Sequence, residues 1–329
     1  MSSQQSRNFL TYLNFYFFLF FIICLIPNCK KNTNKSSSST KTTISISGAF
    51  ALYPLTVKWA EEFNKIYPNI RIDISAGGAG KGMTDALAGM VDLGMFSRAI
   101  TKVEKDRGMW YIAVTKDAVL PTISAHNPYL QELKLTGLRK DDLHSIFISG
   151  KLGDWGSALG ITHDQAIHVY TRSDACGAAG TWAEYLGGVQ ENLKGIGIFG
   201  DPGLADAVKK DPLGIGYNNT IYIYRQDTKQ KYDGLEVIPI DINENGLVDI
   251  DENFYGNMDQ IIEAIGTGKY PSPPARELYF VAKEKPSSGN VITFLKWVLQ
   301  DGQKYVLEAG YVPLKNTRIS EELSKLAGN

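Results

Sequence analysis

Residues 171–186 read TRSDACGAAGTWAEYL. Ahead of them, Ile167-His168-Val169-Tyr170 has the character of a strand, and behind the small residues Trp182, Tyr185 and Leu186 fall at helical spacing. A strand, a small-residue turn and a helix start aim backbone N–H groups at one point, which suits an anion. Arg172 adds a planar fork of donors matched to an oxyanion. Trp182 and Tyr185, on the apolar face of that helix, read as core.

Similar junctions lie upstream. Ile44 to Ser47 alternates like a half-buried strand, and Gly48 to Tyr53 follows as a turn. Pro54 suits the first turn of a helix, which continues with Leu55, Trp59, Phe63 and Ile66 on one face. Ile70 to Ile74 is a second strand running into Gly77-Gly78-Ala79-Gly80-Lys81-Gly82. A short helix with Met83, Leu87 and Met90 leads to a third strand, Val91 to Met95, which ends at Phe96-Ser97-Arg98. Such βαβ units predict an α/β fold with ligand groups at the strand ends. The glycine-rich loop fits no nucleotide motif. A P-loop needs Ser or Thr after Gly-Lys, where Gly82 stands, and Met83 occupies the third glycine of the dinucleotide fingerprint.

Further on, Ile112–Val114 and Ala118–Leu120 read as two strands leaving a first lobe. Gly214–Asn218 and Leu235–Ile240 read as strands of a second, and Leu278–Val281 as the return. A closing helix carries Ile292, Leu295 and Leu299. A chain that leaves one lobe, builds another and comes back crosses twice, and two crossings make a hinge.

The 329 residues are enough for two such lobes, and a net charge of −1 offers no basic surface for nucleic acid. Arg7, the apolar run Phe9–Leu25 and Ile26-Pro27-Asn28-Cys29 have the order of an export signal (1–29). Cys29 resembles the acylated cysteine of a bacterial lipoprotein; the other reading is an uncleaved N-terminal anchor. Either one tethers the body to a membrane, outside the cytoplasm. Residues 30–43 are Lys, Asn, Ser and Thr, the composition of a flexible tether. Of the three cysteines, Cys24 and Cys29 belong to the leader, which leaves Cys176 alone in the folded part.

Taken in order, Gly48–Leu55, Val91–Arg98, Arg172–Gly177, Gly214–Tyr217 and Gln303–Leu314 (QKYVLEAGYVPL) resemble the phosphate-binding proteins of bacterial ABC importers. The resemblance implies a type II periplasmic-binding-protein fold with mixed or parallel sheets flanked by helices. Lobe 1 would comprise 44–118 plus 278–329, and lobe 2 would comprise 119–277. It further implies capture of phosphate or a similar oxyanion by a monomer, delivery to an importer permease, no catalysis and no required cofactor. Carried over by position, the anion site comprises Ala49, Phe50 and Ala51; Gly78, Ala79 and Gly80; Ser97 and Arg98; Arg172, Ser173 and Asp174; and Cys176, Gly177 and Ala178. Where the family has hydroxyls, this chain has Ala49, Phe50, Ala51, Ala79, Cys176 and Ala178. Backbone N–H donors survive such changes, each lost hydroxyl bond costs about 1 kcal/mol, and Arg98 would offset part of that with charge. Phosphate and sulfate stay unseparated, and a surface sensor or interaction protein with an altered pocket is the alternative. A nucleophilic role for Cys176 lacks a histidine motif among His126, His144, His163 and His168.

Residues 241–252, DINENGLVDIDE, match the calcium-loop pattern, with Asp241, Asn243, Asn245, Leu247, Asp249 and Glu252 as ligands. The loop is either a structural calcium clamp in the second lobe or an acidic turn.

Overall fold

The computed structural model describes residues 42–162 and 165–327. The leader, Cys29, most of the tether and His163 lie outside the described residues. Among those described, no helix is long and apolar enough to cross a membrane.

Strand β1 (Thr42–Gly48) begins inside the segment read as tether, because Thr42 and Thr43 pair with Ile70 and Arg71 of β2 (Ile70–Ala76). Helix α1 (Tyr53–Ile66) connects them, with Pro54 in its first turn. Helix α2 (Ala79–Leu87) leads to β3 (Leu93–Phe96), which pairs parallel to β1. Met90, read as the end of the α2 face, lies beyond the helix and is exposed.

Strand β4 (Trp110–Ser124) is continuous where the sequence suggested two pieces. The polar run Thr115-Lys116-Asp117 interrupts the apolar pattern, yet Thr115 and Asp117 are buried. Thr115 Oγ1 donates to Val312 O at 2.9 Å, and Asp117 pairs with Arg276. With those partners the run continues the strand at little cost. The remaining strands are β5 (His168–Arg172), β6 (Ile196–Ile198), β7 (Gly214–Asn219), β8 (Leu235–Val237) and β9 (Ala275–Ala282). The strand order is β2-β1-β3-β9-β4-β7-β5-β6, with β8 also on β4. Pairing is parallel within β2-β1-β3 and β7-β5-β6, and antiparallel wherever β4 or β9 takes part. The first part of β4 pairs with β9 and its last part with β7 and β8, so both halves of the sheet share this strand.

Each half has an aromatic core. In the first, Trp59 and Phe63 of α1 are fully buried, and Phe63 meets Phe294 and Trp297 of α5 (Gly289–Leu299), both edge-on, at 5.2 and 5.5 Å between centroids. Trp59 Nε1 donates to Gly302 O at 2.9 Å, so its one polar atom is satisfied. In the second, Trp182 lies between Phe147 and Tyr217, 5.6 and 5.9 Å away. Burying such a side chain is worth about 1.5–3 kcal/mol. Trp182 and Tyr185 are both buried, which bears out their reading as core.

The glycines of the Gly77–Gly82 loop bring α2 down onto the sheet. A Cβ on Gly82 would lie 2.5 Å from Met95 O and 2.9 Å from Gly48 Cα. Gly82→Ala is therefore expected to destabilise the fold by about 1–3 kcal/mol, as overpacking does, read from the denaturant midpoint. Unchanged stability would mean that α2 is free to move off the strands.

Candidate functional site

Arg172 ends β5, and its backbone N–H donates to Tyr217 OH at 3.2 Å. Tyr217 OH also bonds Thr171 Oγ1 at 2.7 Å, so the aromatic core fixes the strand end from which the guanidinium projects. That side chain has no exposed surface. Its Nε and Nη2 donate to Asp174 Oδ1 and Oδ2 at 2.8 and 2.6 Å, a planar fork-on-fork pair. On the other side Nη1 lies 2.6 Å from Oδ2 of Asp201, the first residue of α4 (Asp201–Lys210).

The surroundings of this cation are also charged. Asp174 Oδ1 accepts from Gly200 N at 3.1 Å, and Asp201 Oδ1 accepts from Asn219 Nδ2 at 2.6 Å. Asn219 Oδ1 accepts from Arg276 Nη2, and Arg276 donates to both oxygens of Asp117 at 2.9 and 3.2 Å. Burial works against the Arg172 charge, but Asp201 and Asp174 outweigh it and hold its pKa above the ordinary arginine value. Burial prevails over the neighbouring arginines at Asp201 and Asp117, whose carboxyls are raised.

The expected turns converge here to different degrees. The Phe50 ring centroid is 5.6 Å from Arg172 Cζ, and the ring meets Phe199 edge-on at 6.0 Å. Tyr222 OH holds that turn by donating to Phe50 O at 2.9 Å. A Cβ on Gly78 would come within 2.7 Å of Asp174 Oδ2, so the second turn also reaches the pair. Ala51, Ala79 and Ala178 are buried close by in sequence. Helix α3 (Gly177–Tyr185) starts at this point, and the first-turn N–H groups of Gly177 and Ala178 have no intrahelical acceptor. Ser97 packs its backbone and hydroxyl directly on Gly177, where no side chain would fit.

Several expected donors are engaged elsewhere. The N–H of Ala49 donates to Met95 O at 2.9 Å, that of Gly78 to Gly48 O at 3.1 Å and that of Gly80 to Ala175 O at 3.0 Å. Ser173 is exposed, and its N–H donates to Ile198 O. Arg98 does not join Arg172. Its Nη1 and Nη2 bond both oxygens of Glu104 at 3.0 and 2.7 Å while the guanidinium stacks 4.6 Å over Phe96. The cavity of about 490 Å³ beside it is lined by Ala79, Gly80, Arg98, Cys176, Glu184 and Gln190, and does not include Arg172. Thr101 and Glu104 form a capping box, a pattern visible in the sequence that accounts for the diversion of Arg98. Asp201 was not among the expected residues, although Asp201-Pro202 after Gly200 has the form of a helix start.

Cys176 is the N-cap of α3, its sulfur accepting from Ala179 N at 3.3 Å in the place of a serine oxygen. Burial pushes its thiol up to about 12, with Arg172 opposing. A protonated, buried thiol is no nucleophile at neutral pH. Iodoacetamide at pH 8 should therefore leave the Cys176 peptide unlabelled until denaturant is added, as read by mass spectrometry. Rapid labelling of the folded protein would contradict this.

In the 241–252 loop the acidic side chains turn onto the loop's own N–H groups. Asp241 accepts from Asn245 N and Gly246 N at 3.2 and 2.8 Å. Glu252 accepts from the N–H groups of Ile242, Asn243 and Asp249 at 3.0, 2.9 and 3.3 Å. Asp249 accepts from the side-chain amides of Asn243 and Asn245, and Asn245 Oδ1 accepts from Leu247 N. Among the described residues no group of three or more His, Cys, Asp or Glu could hold a metal ion. Glu252→Ala, which strips an acceptor from three N–H groups, should lower stability by about 1–3 kcal/mol in calcium-free buffer. An unchanged melting temperature there would show that the loop does not depend on this carboxylate.

The description "PBP superfamily domain" fits residues 33–301. The chain belongs to this superfamily of periplasmic-binding-protein folds. Among its relatives, the phosphate-binding protein PstS of Xylella fastidiosa (strain Temecula1) is 26% identical over 321 residues, which is 87% of this chain and 86% of the relative. PstS of Bacillus subtilis is 25% identical over 295 residues, or 89% and 86%. In solved structures the fold recurs in a Clostridium perfringens protein with bound phosphate, at TM-score 0.68 and 22% identity, covering 83% of this chain and 100% of the other. It recurs also in an ABC-type phosphate transport receptor of Vibrio cholerae, at TM-score 0.61 and 17% identity, covering 82% and 100%.

Proposed function

We propose that this chain is an extracytoplasmic solute-binding protein that captures phosphate, or an oxyanion of similar shape, and presents it to the permease of an ABC importer. The observation that carries this reading is the guanidinium of Arg172, buried at the end of β5 where the Phe50, Gly78 and Gly200 turns and the start of α3 meet. Names of the relatives point the same way, and no chemical step is needed. The hinge between residues 44–118 plus 278–329 and residues 119–277 would open to admit the anion and close over it. Acylation at Cys29, or an uncleaved leader, would hold the monomer at the membrane.

One observation favours the second reading, a sensor or interaction protein with an altered pocket. The chain's own carboxylates already answer Arg172, and Arg98 is tied to Glu104.

The readings separate in a calorimeter. Protein unfolded to strip bound anion and refolded is titrated with phosphate, sulfate and arsenate. Transport predicts a phosphate signal that Arg172→Lys weakens about 100-fold, the worth of two charge-assisted bonds at about 1.5 kcal/mol each. No heat from any of the three anions, in protein with a native circular-dichroism spectrum, sinks the phosphate reading and leaves the sensor.

A further inference from the structure

The buried charges around Arg172 do not balance. Among the described residues, Asp117, Asp174 and Asp201 pair with Arg172 and Arg276, three carboxylates against two guanidiniums. An oxyanion bound at Arg172 would add further negative charge where water does not screen it. One of the carboxylates must therefore give way or lose its charge. Asp174 is held by two bonds from Arg172 and one from Gly200 N, and Asp117 by two bonds from Arg276. Asp201 is held differently. Its Oδ2 lies 2.6 Å from the buried Nη1 of Arg172, so it meets that arginine through one nitrogen where Asp174 and Asp117 each hold two of their partner's, and it is the contact an oxyanion can replace most simply.

We infer that Asp201 couples anion binding to pH, its Oδ2 taking up one proton from solvent as an oxyanion takes over Nη1 of Arg172. The inference rests on the anion-binding reading above. The neutral carboxyl then turns from a competitor into an O–H donor toward the anion, while its Oδ1 keeps the bond from Asn219. Burial already raises this carboxyl, against Arg172 and Arg276. The groups facing it are Arg172 and Asp174 from β5 and its following loop, Cys176 at the start of α3, Arg276 on β9, Asp117 on β4, and Tyr222 and Tyr311. Arg172, the tyrosines and the thiol, all raised, keep their protons at neutral pH. A bound anion raises the carboxyl further, so affinity rises as pH falls, by up to tenfold per pH unit for one proton.

The experiment is phosphate calorimetry on the anion-stripped full chain, wild type and Asp201→Asn, from pH 5.5 to 8.5. It is run in two buffers of different protonation enthalpy, so that the heat reports protons taken up. The variant shares the titration of phosphate itself, so the difference between the two proteins isolates Asp201. Wild type should take up close to one proton more than the variant, which should bind at least tenfold tighter at pH 8 with a flatter pH profile. Asp201→Ser, neutral and suited to a helix start, should behave likewise and serves if the asparagine variant misfolds. Equal proton counts and parallel pH profiles overturn the role of Asp201 and leave the phosphate reading standing. Binding by the variants alone supports the role, and no binding by any of the proteins overturns both.

Discussion

The ion pairs of Arg172 with Asp174 and Asp201 set the terms for the surrounding structure. A guanidinium without exposed surface is tolerable only when its charge is answered inside the protein. Asp174 supplies a bidentate partner from the same turn, and Asp201 brings the start of α4 to the end of β5. Through Asn219 and Arg276 the pairing reaches Asp117 on β4, so the strand shared by both halves of the sheet is linked to the site by charge. The aromatic core around Trp182 adds apolar burial beneath it and, through Tyr217, fixes where Arg172 emerges.

The features legible in the sequence are the local ones. The βαβ start, the helix after Pro54 and the turn at Arg172 follow from periodicities and spacings of a few residues. Strand β4 was harder to read, since Thr115 and Asp117 look like a break until Val312 O and Arg276 arrive from distant parts of the chain. Asp201 was illegible as a partner of Arg172 for the same reason. Its own neighbourhood announces only a helix start, and its electrostatic role exists only once β5 and α4 lie side by side.

Arg98 and the 241–252 loop teach a different lesson. In both, partners from the same stretch of chain engage the side chains. Glu104, three residues after the N-cap Thr101, captures both terminal nitrogens of Arg98. The carboxylates of the loop accept from backbone N–H groups that a tight turn would otherwise leave without partners. Patterns of charged residues give the donor and acceptor inventory, whereas geometry decides which partner is nearest.

Strand β4 also has a mechanical consequence. Because one continuous strand is hydrogen-bonded into both halves of the sheet, the halves cannot slide past one another without breaking its ladders. The motion left to them would be bending and twisting about that strand, which passes from β9 to β7 between Ala118 and Val119. Such a flexure would return to the same alignment after each excursion. The close fits of Ser97 on Gly177 and of Gly78 beside Asp174 then need no separate device to find their registration.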